Sequence, residues 1–150
     1  MNILIIEDNL LKRGKIEAFL SARYDARMSC AGSYNTGLKM AVAGGFDFMI
    51  LDMSMPTFDR TEVTHGGRFR TLGGHEIAVR LAKIKALIPF VVLTGYRDFS
   101  VNSKSLSVEQ IDVSLRSVGT LYRGCILFDA ADSVWQDNLS EIIDKEEKCE

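Results

Sequence analysis

The sequence predicts an open parallel α/β sheet covered by helices on both faces. Three observations carry that prediction. Short, mostly apolar runs recur at residues 2–6, 46–51, 90–93 and 124–128, broken only by Asn2 and Asp47. Such runs suit strands buried on both faces, as parallel strands are. Helical patterns lie between them, so strands and helices alternate. Finally, 150 residues with 47% hydrophobic and 25% charged side chains describe one ordinary globular domain.

In chain order, residues 2–6 form the first strand and run into Glu7 and Asp8. Asn9 is placed to cap a helix whose apolar stripe is read as Leu10, Leu11, Ile16, Phe19 and Leu20. Residues 24–30 alternate weakly and give a second strand. Residues 33–43 are helical and stop at Gly44-Gly45. Residues 46–51 form the third strand, ending at Asp52.

Residues 53–72 have no period and contain Pro56, Thr57, Thr61, Thr64, Gly66 and Gly67, so they read as a long loop. A helix over 75–87 follows, with Ile77, Leu81 and Ile84 on one face and Pro89 as its stop. The fourth strand, 90–93, ends at Thr94-Gly95. Ser107 with Gln110 reads as a capping box opening a helix to about 118. Residues 124–128 are the fifth strand, and Asp132 or Ser133 starts a last helix through Val134, Leu139 and Ile142, with Trp135 as core.

Composition excludes several classes of function. Eighteen basic against twenty acidic side chains, net charge -2, is not the footprint of a dedicated nucleic-acid binder. No apolar run approaches the ~20 residues of a membrane span, and the opening residues do not read as a secretory leader. Cys30, Cys125 and Cys149 have neither disulfide nor zinc spacing, which points to a reducing, cytoplasmic setting.

In a parallel sheet the carboxyl ends of the strands form one edge, where the active crevice lies. Here that edge collects Glu7 and Asp8, Asp52 and Thr94. Carboxylates at close range raise one another's pKa and favour a cation, and hard oxygen ligands with open positions suit Mg2+. Asp52, ending a central buried strand, is best placed as a nucleophile toward phosphorus, with the Thr94 hydroxyl as a donor to the phosphoryl oxygen. His65 and His75 read as a loop residue and a helix-start residue. The glycines of 66–74 do not follow the first strand and lack the Gly-Lys-Ser/Thr ending of a phosphate-binding loop.

Ile3-Leu4-Ile5-Ile6-Glu7-Asp8-Asn9, Met49-Ile50-Leu51-Asp52-Met53-Ser54-Met55-Pro56 and Val91-Val92-Leu93-Thr94-Gly95 together resemble the receiver domain of two-component response regulators. The resemblance spans nearly the whole chain as a single domain, 1–150. It implies a flavodoxin-like (βα)5 fold with sheet order 2-1-3-4-5. It implies Asp52 as phosphoacceptor and Mg2+ held by Asp8, Asp52 and the Ser54 main-chain carbonyl, with Glu7 acting from the second layer or through a water. It also implies Thr94 as the phosphate-binding switch residue. The implied partners are a histidine kinase or phosphotransfer protein as donor and a downstream protein effector, with no direct nucleic acid or membrane contact. A homodimer is left open.

Two departures stand out. The family's lysine at the end of strand five falls on Phe128 or Asp129, with no proline after it, and its aromatic switch position falls on Cys125 or Ile126. The loop after Pro56 carries an insertion at about 57–72, with Arg60, His65, Arg68 and Arg70; one of these, or Arg97, is a candidate replacement for the lysine. The alternatives are a non-phosphorylated pseudo-receiver that binds proteins and, ranked last, a Mg2+-dependent phosphohydrolase. Ser54 stands where that hydrolase pattern has its acid/base aspartate.

Overall fold

The computed structural model describes residues 1–149. Five parallel strands form the central sheet: β1 (Asn2–Ile6), β2 (Arg27–Ala31), β3 (Phe48–Leu51), β6 (Phe90–Thr94) and β9 (Tyr122–Leu127). Their order is β2-β1-β3-β6-β9, which is 2-1-3-4-5 when only these five are counted. Two small antiparallel hairpins lie outside the sheet, β4 (Met55–Pro56) with β5 (Phe69–Arg70) and β7 (Asp98–Val101) with β8 (Lys104–Ser107). The helices are α1 (Leu10–Arg23), α2 (Tyr34–Ala43), α3 (Gly73–Lys83), α4 (Val108–Arg116) and α5 (Val134–Lys148).

Side chains alternate along each strand, so each inner strand feeds two cores. Leu4, Ile6, Met49, Leu51 and Val92 pack with Ile77, Leu81, Ile111 and Leu115 on the α2, α3 and α4 side. Ile3, Ile5, Phe48, Ile50, Val91 and Leu93 pack with Ile16, Leu20, Trp135, Leu139 and Ile143 on the α1 and α5 side. That double burial explains the apolar runs.

Several expectations are corrected. The stripe of α1 is Lys12, Ile16 and Leu20, while Leu10 and Leu11 are 69% and 80% exposed. Helix α3 closes at Lys83, Ile84 is exposed, and Lys85 turns the chain with a left-handed φ of 57° well before Pro89. The aperiodic 53–72 stretch is mostly irregular but is pinned by the β4–β5 hairpin, in which Met55 pairs with Arg70 and Pro56 with Phe69. The hairpin over 98–107 has no counterpart in the sequence reading. It turns on Asn102 and Ser103, both at positive φ. The expected capping box is formed: Ser107 Oγ accepts from Gln110 N, and Gln110 Oε1 accepts from Ser107 N.

Candidate functional site

The carboxyl edge of the sheet holds an open cavity of about 600 Å³ lined by Glu7, Asp8, Lys12, Asp52, Ser54, Arg60, Tyr96 and Phe128 among others. Strand β1 delivers Glu7 and Asp8, and β3 delivers Asp52. The Asp52 N–H donates to Ile6 O at 3.0 Å, fastening the two strand ends side by side. One carboxylate oxygen from each of Glu7, Asp8 and Asp52 lies within 4.8 Å of the others.

Glu7 and Asp52 are both buried. Glu7 Oε1 accepts from Asn9 N at 2.9 Å. Its Oε2 is shielded from solvent, and no donor is aligned with it as a hydrogen bond. Lys12 Nζ sits 2.6 Å away as an ion contact. Burial, reinforced by the charge of Asp52, pushes the Glu7 carboxyl up to about 8, against the opposing pull of Lys12. Asp52 Oδ1 accepts from Met53 N at 2.8 Å and lies 3.3 Å from Lys12 Nζ. Asp8 is half-buried and paired with Arg60 at 3.1 Å. Partial burial raises its carboxyl above the usual range more than Arg60 lowers it.

The loop after Asp52 is held from below. Ser54 Oγ donates to Thr71 O at 2.7 Å, and Gly74 N donates to Met53 O at 2.8 Å. A Cβ on Gly74 would stand 2.3 Å from the Asp52 carbonyl oxygen, so only glycine lets α3 start this close to the acidic loop.

The two candidates for the lysine position, Phe128 and Asp129, are placed differently. Strand β9 carries one extra residue against β6: Phe90 pairs with Tyr122 but Val92 with Cys125, across Gly124 at φ 133°. With that offset Phe128 lines the cavity. Asp129 is exposed, and its carboxylate accepts from Ala131 N in a local turn. Asp129 therefore adds no fourth carboxylate beside the acids.

Thr94 is fully buried, its Oγ1 accepts from Tyr96 N at 3.3 Å, and the cavity wall there is made by Gly95 and Tyr96. Among the inserted cations only Arg60 reaches the acids. Arg70 pairs with Glu76 and stacks 4.0 Å over the Tyr34 ring, His65 and Arg68 are exposed, and Arg97 lies beside α4 and α5.

The residue missed by sequence reasoning is Lys12. It reaches the acids from the first turn of α1, with Nζ donating to Leu93 O at 2.6 Å and lying 5.8 Å over the Phe128 ring. Its signal was the helical period: stepping back by four from Leu20 and Ile16 lands on Lys12 and not on either leucine.

An all-oxygen donor set with one buried oxygen lacking an aligned donor fits a hard divalent cation such as Mg2+. Glu7, Asp8 and Asp52 are the side chains able to hold it.

No family model matches the chain. A curated relative, the Detocs response regulatory protein DtcB of Enterobacter cloacae, is 27% identical over 143 residues, covering 93% of this chain and 95% of its own. The response regulator TrrA of Thermotoga maritima, solved with Mg2+ and BeF, superposes with a TM-score of 0.66 at 21% identity, covering 97% of each chain. A CheY-like receiver domain from Methanospirillum hungatei gives 0.66 at 18%, covering 98% of this chain and 94% of its own. The fold is that of CheY-like response-regulator receiver domains, as the three motifs implied.

Proposed function

We infer that the chain is a phosphoaccepting receiver of two-component signalling, with Asp52 as the acceptor and Glu7, Asp8, Asp52 and the Ser54 carbonyl serving a Mg2+ ion. The observation that carries this reading is the convergence of three carboxylates within 4.8 Å in an open cavity at the carboxyl edge of a receiver-like sheet. An Asp52 oxygen forms a bond to phosphorus as the donor's P–N bond breaks. The bonding pair leaves with the histidine nitrogen of a kinase or phosphotransfer protein, which then takes a proton from solvent. Bound Mg2+ supplies charge neutralisation for the transferring phosphoryl oxygens. The Met53 N–H on Asp52 Oδ1 orients the carboxylate. The output passes to a protein effector.

A pseudo-receiver that binds proteins without phosphorylation is the second reading. It is favoured by the Thr94 hydroxyl being engaged by Tyr96 N and by the absence of an aromatic at Cys125 and Ile126. Intact mass after incubation with Mg2+ and acetyl phosphate separates the two. The first reading expects one added phosphoryl group on the wild type and none on Asp52→Asn. An unmodified wild type supports the second.

A further inference from the structure

We propose that Lys12, reaching the cavity from helix α1, is the cation that receives the phosphoryl group carried by Asp52, in the place of a lysine at the end of the fifth sheet strand. The proposal rests on the phosphoacceptor reading above and assigns a role to a residue outside that reading.

Three observations carry it. Lys12 is 8% exposed, yet its ammonium opens on the cavity and touches both Glu7 Oε2 and Asp52 Oδ1. A lysine is rarely buried unless paired, and this one occupies the core-facing stripe of α1 where an aliphatic side chain would serve packing better. Second, its neighbours accommodate the relocation. The residue directly after β9, Phe128, lines the cavity; its ring lies 5.8 Å from Nζ and packs against Trp135 at 5.0 Å. The aromatic face supports the ammonium from below, and the Leu93 carbonyl at 2.6 Å anchors it at the end of β6. Third, the other cations lining the cavity, Lys15 and Arg60, are exposed side chains. Arg60 is half-exposed and pairs with Asp8, the acid at the cavity's outer side, whereas Lys12 is the cation in contact with Asp52.

A phosphoryl group on Asp52 adds acceptor oxygens beside Nζ. An ammonium has three donors, and only one is taken by Leu93 O. The remaining donors, in ion contact with the carboxylates, are free to turn to the phosphoryl oxygens. Meanwhile the ammonium opposes a divalent cation bound to the same acids. Lys12 is thus expected to weaken metal binding alone and to strengthen binding of metal with a phosphoryl group.

That opposition gives the test. Calorimetry measures Mg2+ alone, and then beryllofluoride in saturating Mg2+, on the wild type and Lys12→Met. Lys12→Met should bind Mg2+ as tightly or several-fold more tightly, and bind beryllofluoride about tenfold or more weakly. Moving the lysine, as Lys12→Met with Phe128→Lys, should recover part of the lost affinity. A merely structural lysine would lower both affinities together, and equal beryllofluoride affinity in wild type and Lys12→Met overturns the proposal. If Lys12→Met does not fold, ammonium resonances of 15N-lysine wild type are followed instead, assigned with Lys12→Arg. Beryllofluoride should shift the Lys12 signal most, and an unmoved signal overturns the proposal. Failure of the phosphoacceptor reading shows differently: the wild type then takes neither beryllofluoride nor a phosphoryl group from acetyl phosphate, and both conclusions fall.

Discussion

Glu7 concentrates the electrostatic cost of the site. Its carboxyl is buried beside Asp52, and both effects hold its pKa near 8 although Lys12 is in contact. The sign of the resulting pH dependence follows. The folded state keeps a proton that the unfolded chain releases near the ordinary value of 4.5, so the Glu7 contribution to stability falls as pH rises from about 4.5 to about 8. In the presence of chelator, the stability of wild type relative to Glu7→Gln, measured by urea unfolding, should decline across that window. A rising difference would mean that Glu7 is ionised against Lys12 throughout. Asp8 is the half-buried acid of the three, so its loss should leave the fold intact. Asp8→Ala should weaken Mg2+ binding by roughly tenfold or more in calorimetry. Equal affinity in the two proteins would remove Asp8 from the metal site. All three acids were legible in the sequence because each ends an apolar run. Lys12 was not, because charge type outweighed helical period in the reading of α1.

At the scale of elements, legibility followed hydrophobic pattern and failed where local geometry decided. The inner strands and the capped helices α1, α2 and α4 were readable because burial on both faces and side-chain caps leave marks in sequence. The hairpin over 98–107 was not readable. Its alternate residues are mostly exposed, leaving Phe99 as its buried apolar anchor. The offset in β9 was also hidden, since a bulge at Gly124 changes register without changing composition. Helix α3 begins earlier than its apolar pattern because Gly73 and Gly74 are buried against the loop at Met53 and Met55. Gly74→Ala places a methyl against the Asp52 carbonyl and should cost about 1–3 kcal/mol by denaturant titration. It should also lower metal affinity by displacing the Asp52 loop. An unchanged midpoint would show that α3 can retreat freely. At the start of α1, Asn9 Oδ1 accepts from Lys12 N at 3.0 Å, so Asn9→Ala should cost about 1 kcal/mol.

Across the whole molecule, the sheet separates two cores, and the site communicates with them unequally. On the α1 and α5 side the path is continuous. Lys12 lies over Phe128, Phe128 packs on Trp135 at 5.0 Å, and Trp135 meets Phe19 of α1 at 5.5 Å. On the opposite side Thr94 is buried behind Gly95 and Tyr96, and Cys125 offers no aromatic lever at the expected switch position. A change in the charge on Asp52 is therefore expected to register first in α1 and α5. The chain has one tryptophan, Trp135, buried at 2% exposure within that path. Its emission should shift when Mg2+ and beryllofluoride saturate the cavity and return on adding chelator. Phe128→Leu, which removes the ring between Lys12 and the indole, should shrink the amplitude. Binding seen by calorimetry with no change in Trp135 emission would show that the Lys12–Phe128–Trp135 stack does not respond to the site. The α2, α3 and α4 face would then have to carry the signal by movement of the backbone alone.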